Sequence, residues 1–381
     1  MLLTIIVSAL NEEENIRNVL HTLDSQLDKL GKEVDKSQYG VVVVDNGSDD
    51  ATPEIVRQFS RQSKMFVRLT HETEQSIVSA RKAGVREIKN NHHVFGDTGY
   101  IAFCDADVLV PTNWVDSILT EFGKSNADVL SFNGSFPHSF WMRVPDLAER
   151  YIAEIGTLFF PEETVVYYGT QKRDLRFTSQ IYADFVRPPS GGFYAISLRA
   201  YDKVGGYRRE FTEERKEIDG PTWRLYQKLM WTGAKLHFIP EIDVINSPRR
   251  LLGDPMRFFG IQSYDQLGEL PQNIRNLDKS RYDFVNGLAK HVDFKPIQRY
   301  VAEYYIIMPC VCDPPLIGKN KSFFGELEER VRADIQNWRL QNPKPKAQNI
   351  YRFCDEMADK YFQQIFQAVP SQPGSLSQKH S

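Results

Sequence analysis

The sequence predicts an α/β protein: a mostly parallel sheet flanked by helices, with a helical C-terminal extension. Three observations predict it. Apolar, β-branched runs alternate with amphipathic segments four times in succession from the N-terminus. The run at 41–44, four consecutive valines, is apolar without a break, as expected of a strand covered on both faces. After about residue 250 the alternation stops, and long segments without Gly-rich turns take over.

The first strand is LLTIIVSAL. It leads into NEEENIRNVLHTLDSQLDKL, where Ile16, Val19, Leu20, Leu23, Leu27 and Leu30 keep helical spacing. Asn11 is the expected N-cap, with Glu12 to Glu14 in the first turn, where the helix dipole favours negative charge. The second strand, 41–44, ends in the turn Asp45-Asn46-Gly47-Ser48, and a helix is expected around 52–62. FVRLTHE and QSIVSARKAGVREIKNN form a third strand–helix unit, and YIAFCDADVLV with TNWVDSILTEFGK a fourth. A further strand is expected at about 127–136. A Pro/Gly loop in RPPSGGFYAISLRAYDKVGGY then precedes a short strand and helix, and a helix ending near Gly233 precedes a last strand. This divides the chain into a domain over 1–250, a helical extension over 251–368 and a disordered tail over 369–381.

Composition excludes several classes. The 381 residues are 41% hydrophobic and 25% charged, with a net charge of −3, so no basic excess points to nucleic acid. The four cysteines include no C-x-x-C pair, which fits a reduced, cytoplasmic setting. No apolar run reaches the ~20 residues of a membrane span, which leaves only peripheral membrane contact. Homo-oligomerisation is left open.

In a parallel sheet ligands bind outside the carboxyl ends of the strands. Ala9, Asn11 and Glu12 follow the first strand, Asp45 the second, Asp105 and Asp107 the fourth, so all should gather along one edge. On an extended chain Asp105 and Asp107 would point to one side and could share a cation, and two hard oxygen ligands with open positions suit Mg²⁺ or Mn²⁺.

The segments TIIVSALNEEENI, VVVVDNGSDDAT, ARKAGV, FCDADVLVP and PSGGFYAISLRAYDKVGGY occur in this order. With them the chain resembles family 2 glycosyltransferases of the GT-A fold over about residues 1–250. The resemblance implies transfer of a sugar from a UDP- or GDP-linked donor to a glycan, lipid-linked or small-molecule acceptor, with inversion. It implies that Ala9, Asn11 and Glu12 line the nucleotide pocket, that Asp45 hydrogen-bonds the base, and that Arg81 lies near the donor. Asp105 would sit by the ribose and metal, Asp107 would ligate the metal directly, and Gly191 and Gly192 would form the acceptor loop, with Trp223 nearby.

The family's E-D pair at the head of a helix is missing from TEERKEIDGPTWRLYQKLMWTG. Asp219, before Gly-Pro, is the expected base and Glu217 the second choice; the plainer reading of Asp219 is an N-cap before Pro221. Each of these residues has a plainer reading: Asp45 as a turn cap, Arg81 as a solvated charge, Trp223 as core, and His237 as a structural strand residue. Arg249 and Arg250 either reach the diphosphate or are merely exposed, and Asn246 or Ser247 stands where some family members carry a metal-binding His. Two other functions fit parts of the sequence. A nucleotidyltransferase would show a Gly-rich basic loop after the first strand, but SALNEEEN is acidic and Gly-free. A catalytically inactive protein that binds nucleotide or glycan fits the absent E-D pair.

Overall fold

The computed structural model describes residues 1–96, 98–151, 165–168, 171–174, 190–211, 215, 217–218, 220–253, 279–289, 299, 302–319 and 324–368. They fall into two compact units, Met1–Phe140 with Val186–Arg249, and Trp141–Phe185 with Arg250–Ser381.

The first unit opens with three strand–helix pairs: β1 (Leu3–Ala9) and α1 (Ile16–Asp24), β2 (Tyr39–Asp45) and α2 (Thr52–Gln62), β3 (Phe66–His71) and α3 (Ile77–Asn90). Next come β4 (Tyr100–Asp105), β5 (Val108–Leu109), α4 (Trp114–Lys124) and β6 (Val129–Ser135). The unit closes with β7 (Phe193–Ser197), α5 (Leu198–Lys203), α6 (Pro221–Trp231) and β8 (Leu236–Asn246). The eight strands form one sheet in the order β3-β2-β1-β4-β7-β6-β8-β5.

Neighbours are parallel across β3-β2-β1-β4 and again between β6 and β8. β7 runs antiparallel between β4 and β6, and β5 antiparallel to β8. The reversed direction of β7 has a consequence for the site. Phe193 pairs with Cys104 at the carboxyl end of β4, so the Gly191–Gly192 loop arrives at that edge.

The core follows from the strand period of two. Ile5, Val7, Val41 and Val43 pack on one face with α1, α2 and α4, whereas Ile6, Val42 and Val44 pack on the other with α3. The four-valine run is fully buried, as a two-faced strand requires. Helix α3 lies close against the sheet because Gly84 has no side chain: a Cβ there would stand 2.4 Å from Ile6 Cγ2. Ala at Gly84 gains helix propensity but forces a β-branched core residue to move, so Gly84→Ala is expected to cost about 1 to 2 kcal/mol net in urea denaturation.

Two expectations about α1 are corrected. The helix ends at Asp24, and Leu30 is 80% exposed. Tertiary bonds take the chain away: Gln26 Nε2 donates to Pro111 O (3.0 Å), Val115 N donates to Gln26 Oε1 (2.8 Å), and Leu27 N donates to Thr112 O (2.7 Å). Asn11 is not the N-cap either. Asn15 is, and its side chain caps no helix amide but donates from Nδ2 to Glu12 Oε2 at 2.9 Å; Glu12 to Glu14 precede the helix.

In the second unit, Val165–Tyr168 and Gln171–Asp174 form an antiparallel hairpin. Its helical segments include Pro145–Tyr151, Lys279–Ala289, Glu328–Gln341 and Ala347–Ala368, with a π-helical turn at Ala302–Ile307. Ile350, Cys354, Met357, Tyr361 and Ile365 form a buried helical stripe, and Trp338 stacks on Phe353 with centroids 4.6 Å apart. Cys310, Cys312 and Cys354 are buried free thiols. No described helix is long and apolar enough to cross a membrane. The tail at 369–381 lies outside the described residues.

Burial pushes the Glu303 carboxyl up to about 7, against the pull of Arg299, whose Nη1 lies 3.0 Å from Glu303 Oε2. A carboxyl raised on folding favours the protonated form of the fold. Its contribution is therefore full below the ordinary glutamate range and is lost as pH rises through 7. Stability is expected to fall from pH 5 to pH 8 by on the order of 3 kcal/mol or less, at 1.36 kcal/mol per unit of pKa. Urea titrations at the two pH values check this, and Glu303→Gln should flatten the difference.

Candidate active site

Sheet register brings the predicted residues to one edge. Ala9 pairs with Asp45, Asp45 with His71, and Ser8 with Asp105. Asp45 is 4% exposed, and its oxygens are both engaged: Oδ1 accepts from Ser48 N at 3.1 Å, and Oδ2 lies 3.0 Å from His71 Nδ1. Ala9 is buried, and its carbonyl accepts from Asn46 N at 2.8 Å. Sequence reasoning missed His71; its one legible sign is its place at the end of β3.

The loops after β1 and β2 are bonded to each other. Asn11 N donates to Ser48 Oγ (3.0 Å), Glu12 N to Thr52 Oγ1 (2.8 Å) and Glu13 N to Asp50 Oδ2 (3.0 Å). In return Asp49 N donates to Asn11 Oδ1 (2.9 Å) and Ala51 N to Glu13 Oε2 (3.1 Å). Asn11 has a left-handed φ of 55°, a conformation that Asn tolerates better than most side chains.

The two acids of D-A-D diverge in their partners. β4 ends at Asp105, Ala106 and Asp107 form a turn, and Val108 begins β5, so the extended-chain reason for a shared side does not apply. Asp105 N donates to Gly192 O at 2.7 Å, and a Cβ on Gly192 would stand 3.0 Å from Asp105 Oδ2. Glycine there leaves the carboxylate its space, while Gly191 lies near Thr222. Asp107 Oδ2 lies 3.0 Å from Arg249 Nη2. The same guanidinium grips Glu12 with both Nη atoms, Nη1 to Oε2 at 2.7 Å and Nη2 to Oε1.

Arg81 is not a solvated charge: it is 3% exposed. Nη1 donates to Tyr207 OH and Thr222 Oγ1, both at 2.9 Å; Nη2 donates to Asp105 Oδ1 at 3.0 Å and to Gly191 O. The guanidinium also lies over the rings of Phe103 and Tyr207. Burial would lower its pKa, but Tyr207 and Asp105 more than offset that, and the group stays protonated. Arg81 thus joins α3, the end of β4, the glycine loop and the head of α6.

Glu217 is engaged on both oxygens: Ser76 Oγ donates to Oε1 at 3.2 Å, and Arg209 Nε donates to Oε2 at 2.9 Å. Arg209 also pairs with Glu74, which ties this segment to the head of α3. Asp219 lies outside the described residues. Immediately after it, Gly220 has a φ of 69° and Pro221 opens α6. Trp223 is half-buried, with its ring edge-on to Tyr226 at 5.8 Å. His237 is a strand residue with an exposed side chain, 3.5 Å from Glu121.

Among the described residues no group of three or more His, Cys, Asp or Glu is gathered for a metal. Asn246 Nδ2 donates to Ser135 O at 3.4 Å, which gives it a structural partner. The donors on offer are the carboxylates of Asp105 and Asp107. They are hard oxygens suited to Mg²⁺ or Mn²⁺ with water or phosphate completing the shell, and a guanidinium already stands as a positive charge at Asp107.

Residues 4–180 match the family model described as Glycosyl transferase family 2. The chain is 30% identical over 135 residues to glycosyltransferase AglE of Haloferax volcanii, over 35% of this chain and 40% of that protein. It is 26% identical over 227 residues to the validoxylamine A glucosyltransferase of Streptomyces hygroscopicus subsp. jinggangensis, over 55% of this chain and 48% of that one. The chain spans less than half the length of these relatives. Among solved structures, S. aureus TarS 1-349 aligns over 94% of this chain and 92% of its own at 14% identity, with a TM-score of 0.43.

Proposed function

We propose that this chain, which through residues 4–180 belongs to glycosyl transferase family 2, moves a sugar from a UDP- or GDP-linked donor to an acceptor hydroxyl with inversion. The observation that carries the reading is the convergence of Asp45, Asp105 and Asp107 with two guanidinium groups on the carboxyl edge of one sheet. Three acids at that edge have a use where a nucleotide and its diphosphate must be held.

Asp45, at the end of β2, would accept from the base, with Ala9, Asn11 and Glu12 forming the wall beside it. Asp107, with Asp105 by the ribose, would hold Mn²⁺ or Mg²⁺, which when bound offsets the charge that develops on the diphosphate as the glycosidic bond breaks. Arg81 keeps Asp105 and the Gly191–Gly192 loop in place and needs no contact with the donor to do so. Asp219 is the proposed base for the acceptor hydroxyl. Glu217 would first have to leave Arg209 and Ser76. Residues 251–368 we read as an acceptor lid or an oligomerisation element, in a cytoplasmic or membrane-peripheral setting.

The test is a mass-spectrometric assay of UDP- and GDP-linked sugars with Mn²⁺ or Mg²⁺, which follows both transfer and slow donor hydrolysis. Consumption of one donor class, abolished in Asp219→Asn, supports the reading. Binding without consumption of any donor would favour the inactive carbohydrate- or nucleotide-binding alternative, and the absence of both would reject the proposal.

A further inference from the structure

The Arg249 side chain spans two carboxylates from different loops, Glu12 after β1 and Asp107 after β4. The side chains of Glu12 and Asp107 are 9% and 11% exposed, and that of Arg249 is 26%. Arginine cannot give up its proton here, so its charge stays. A divalent cation on Asp107 would meet a guanidinium nitrogen already 3.0 Å from the same oxygen, and two positive charges at that spacing repel. When the guanidinium moves away, Glu12 keeps Asn15, whose Nδ2 donates to its Oε2 at 2.9 Å, but the guanidinium loses both carboxylates and must find another anion. A diphosphate is such an anion, and its oxygens match the planar fork of arginine.

We infer that Arg249 changes partners when the donor binds: in the free chain it occupies Glu12 and Asp107, and in the loaded site Asp107 passes to the divalent cation while the guanidinium turns onto the diphosphate. The inference rests on the nucleotide-sugar reading above and adds a coupling to it. Cation and donor each relieve the cost of the other's binding, so by linkage each raises the affinity of the other. The cation alone binds weakly because it must evict a cation already in place.

The experiment measures Mn²⁺ binding to the full chain by electron paramagnetic resonance without nucleotide. Calorimetry then follows UDP and GDP with and without Mn²⁺. Arg249→Gln should bind Mn²⁺ alone roughly tenfold more tightly than wild type and bind UDP or GDP roughly tenfold more weakly. The dependence of nucleotide affinity on Mn²⁺ should shrink accordingly. Arg249→Lys keeps the charge and loses the fork. It should move both affinities the same way by less, and it carries the test if circular dichroism finds Arg249→Gln unfolded.

Mn²⁺ affinity that is unchanged or weaker in the variants overturns the inference. So does a gain in Mn²⁺ affinity with nucleotide binding intact, which would make Arg249 a counter-ion only. In both cases nucleotide binding by wild type leaves the transferase reading standing. If neither UDP nor GDP binds any form with Mn²⁺ or Mg²⁺ present, both proposals fall.

Discussion

Asparagine at Asp107 is expected to lower the proposed sugar transfer by ~10³-fold while leaving the fold intact. The side chain keeps its volume and loses only its charge. Arg249 keeps its two-pronged hold on Glu12, so no buried arginine is stranded. The stability change should therefore stay within about 1 kcal/mol, the range of a partly exposed pair. Rate constants with the preferred donor, set beside a urea denaturation curve, separate the two effects. Near wild-type transfer by Asp107→Asn would remove this carboxylate from the chemistry.

Methionine at Arg81 should do the opposite and strike the fold first. It removes the partner of Asp105 and a donor from Gly191 O, while Tyr207 OH and Thr222 Oγ1 lose the guanidinium but keep each other at 3.1 Å. Breaking a buried ion pair on one side typically costs about 3 to 5 kcal/mol. The Asp105 side chain is 25% exposed and can draw in some water, which favours the lower end. Lysine should recover little, because one ammonium cannot reach four acceptors spread over a planar fork. A loss below about 1 kcal/mol in urea denaturation would mean that the guanidinium is not what holds these segments together.

These two residues mark what could be read from the sequence. The place of Asp107 at the sheet's carboxyl edge was legible because it follows closely on Asp105, which closes an apolar run at a strand end. The two-faced strand at 41–44 was legible because a continuous valine run has few other uses. Arg81 was not. In ARKAGV it looks like any helix charge, and its burial depends on Tyr207 and Thr222, more than a hundred residues away. The overrun of α1 has a similar cause: Leu27 and Leu30 keep helical spacing, but the chain leaves the helix for bonds to Pro111 and Thr112. Local pattern cannot report a partner that only the fold supplies.

The bonded loops after β1 and β2 set a rule for anyone who would re-engineer this rim. Five backbone amides of one loop or the other end on side chains across the gap, from Asn11 to Thr52. Neither loop can be transplanted from a homologue without orphaning donors in the other, so the two form one heritable cassette. A chimera that exchanges 10–15 alone should lose amide-exchange protection across 48–52 as well, whereas exchanging 10–15 together with 46–52 should keep it.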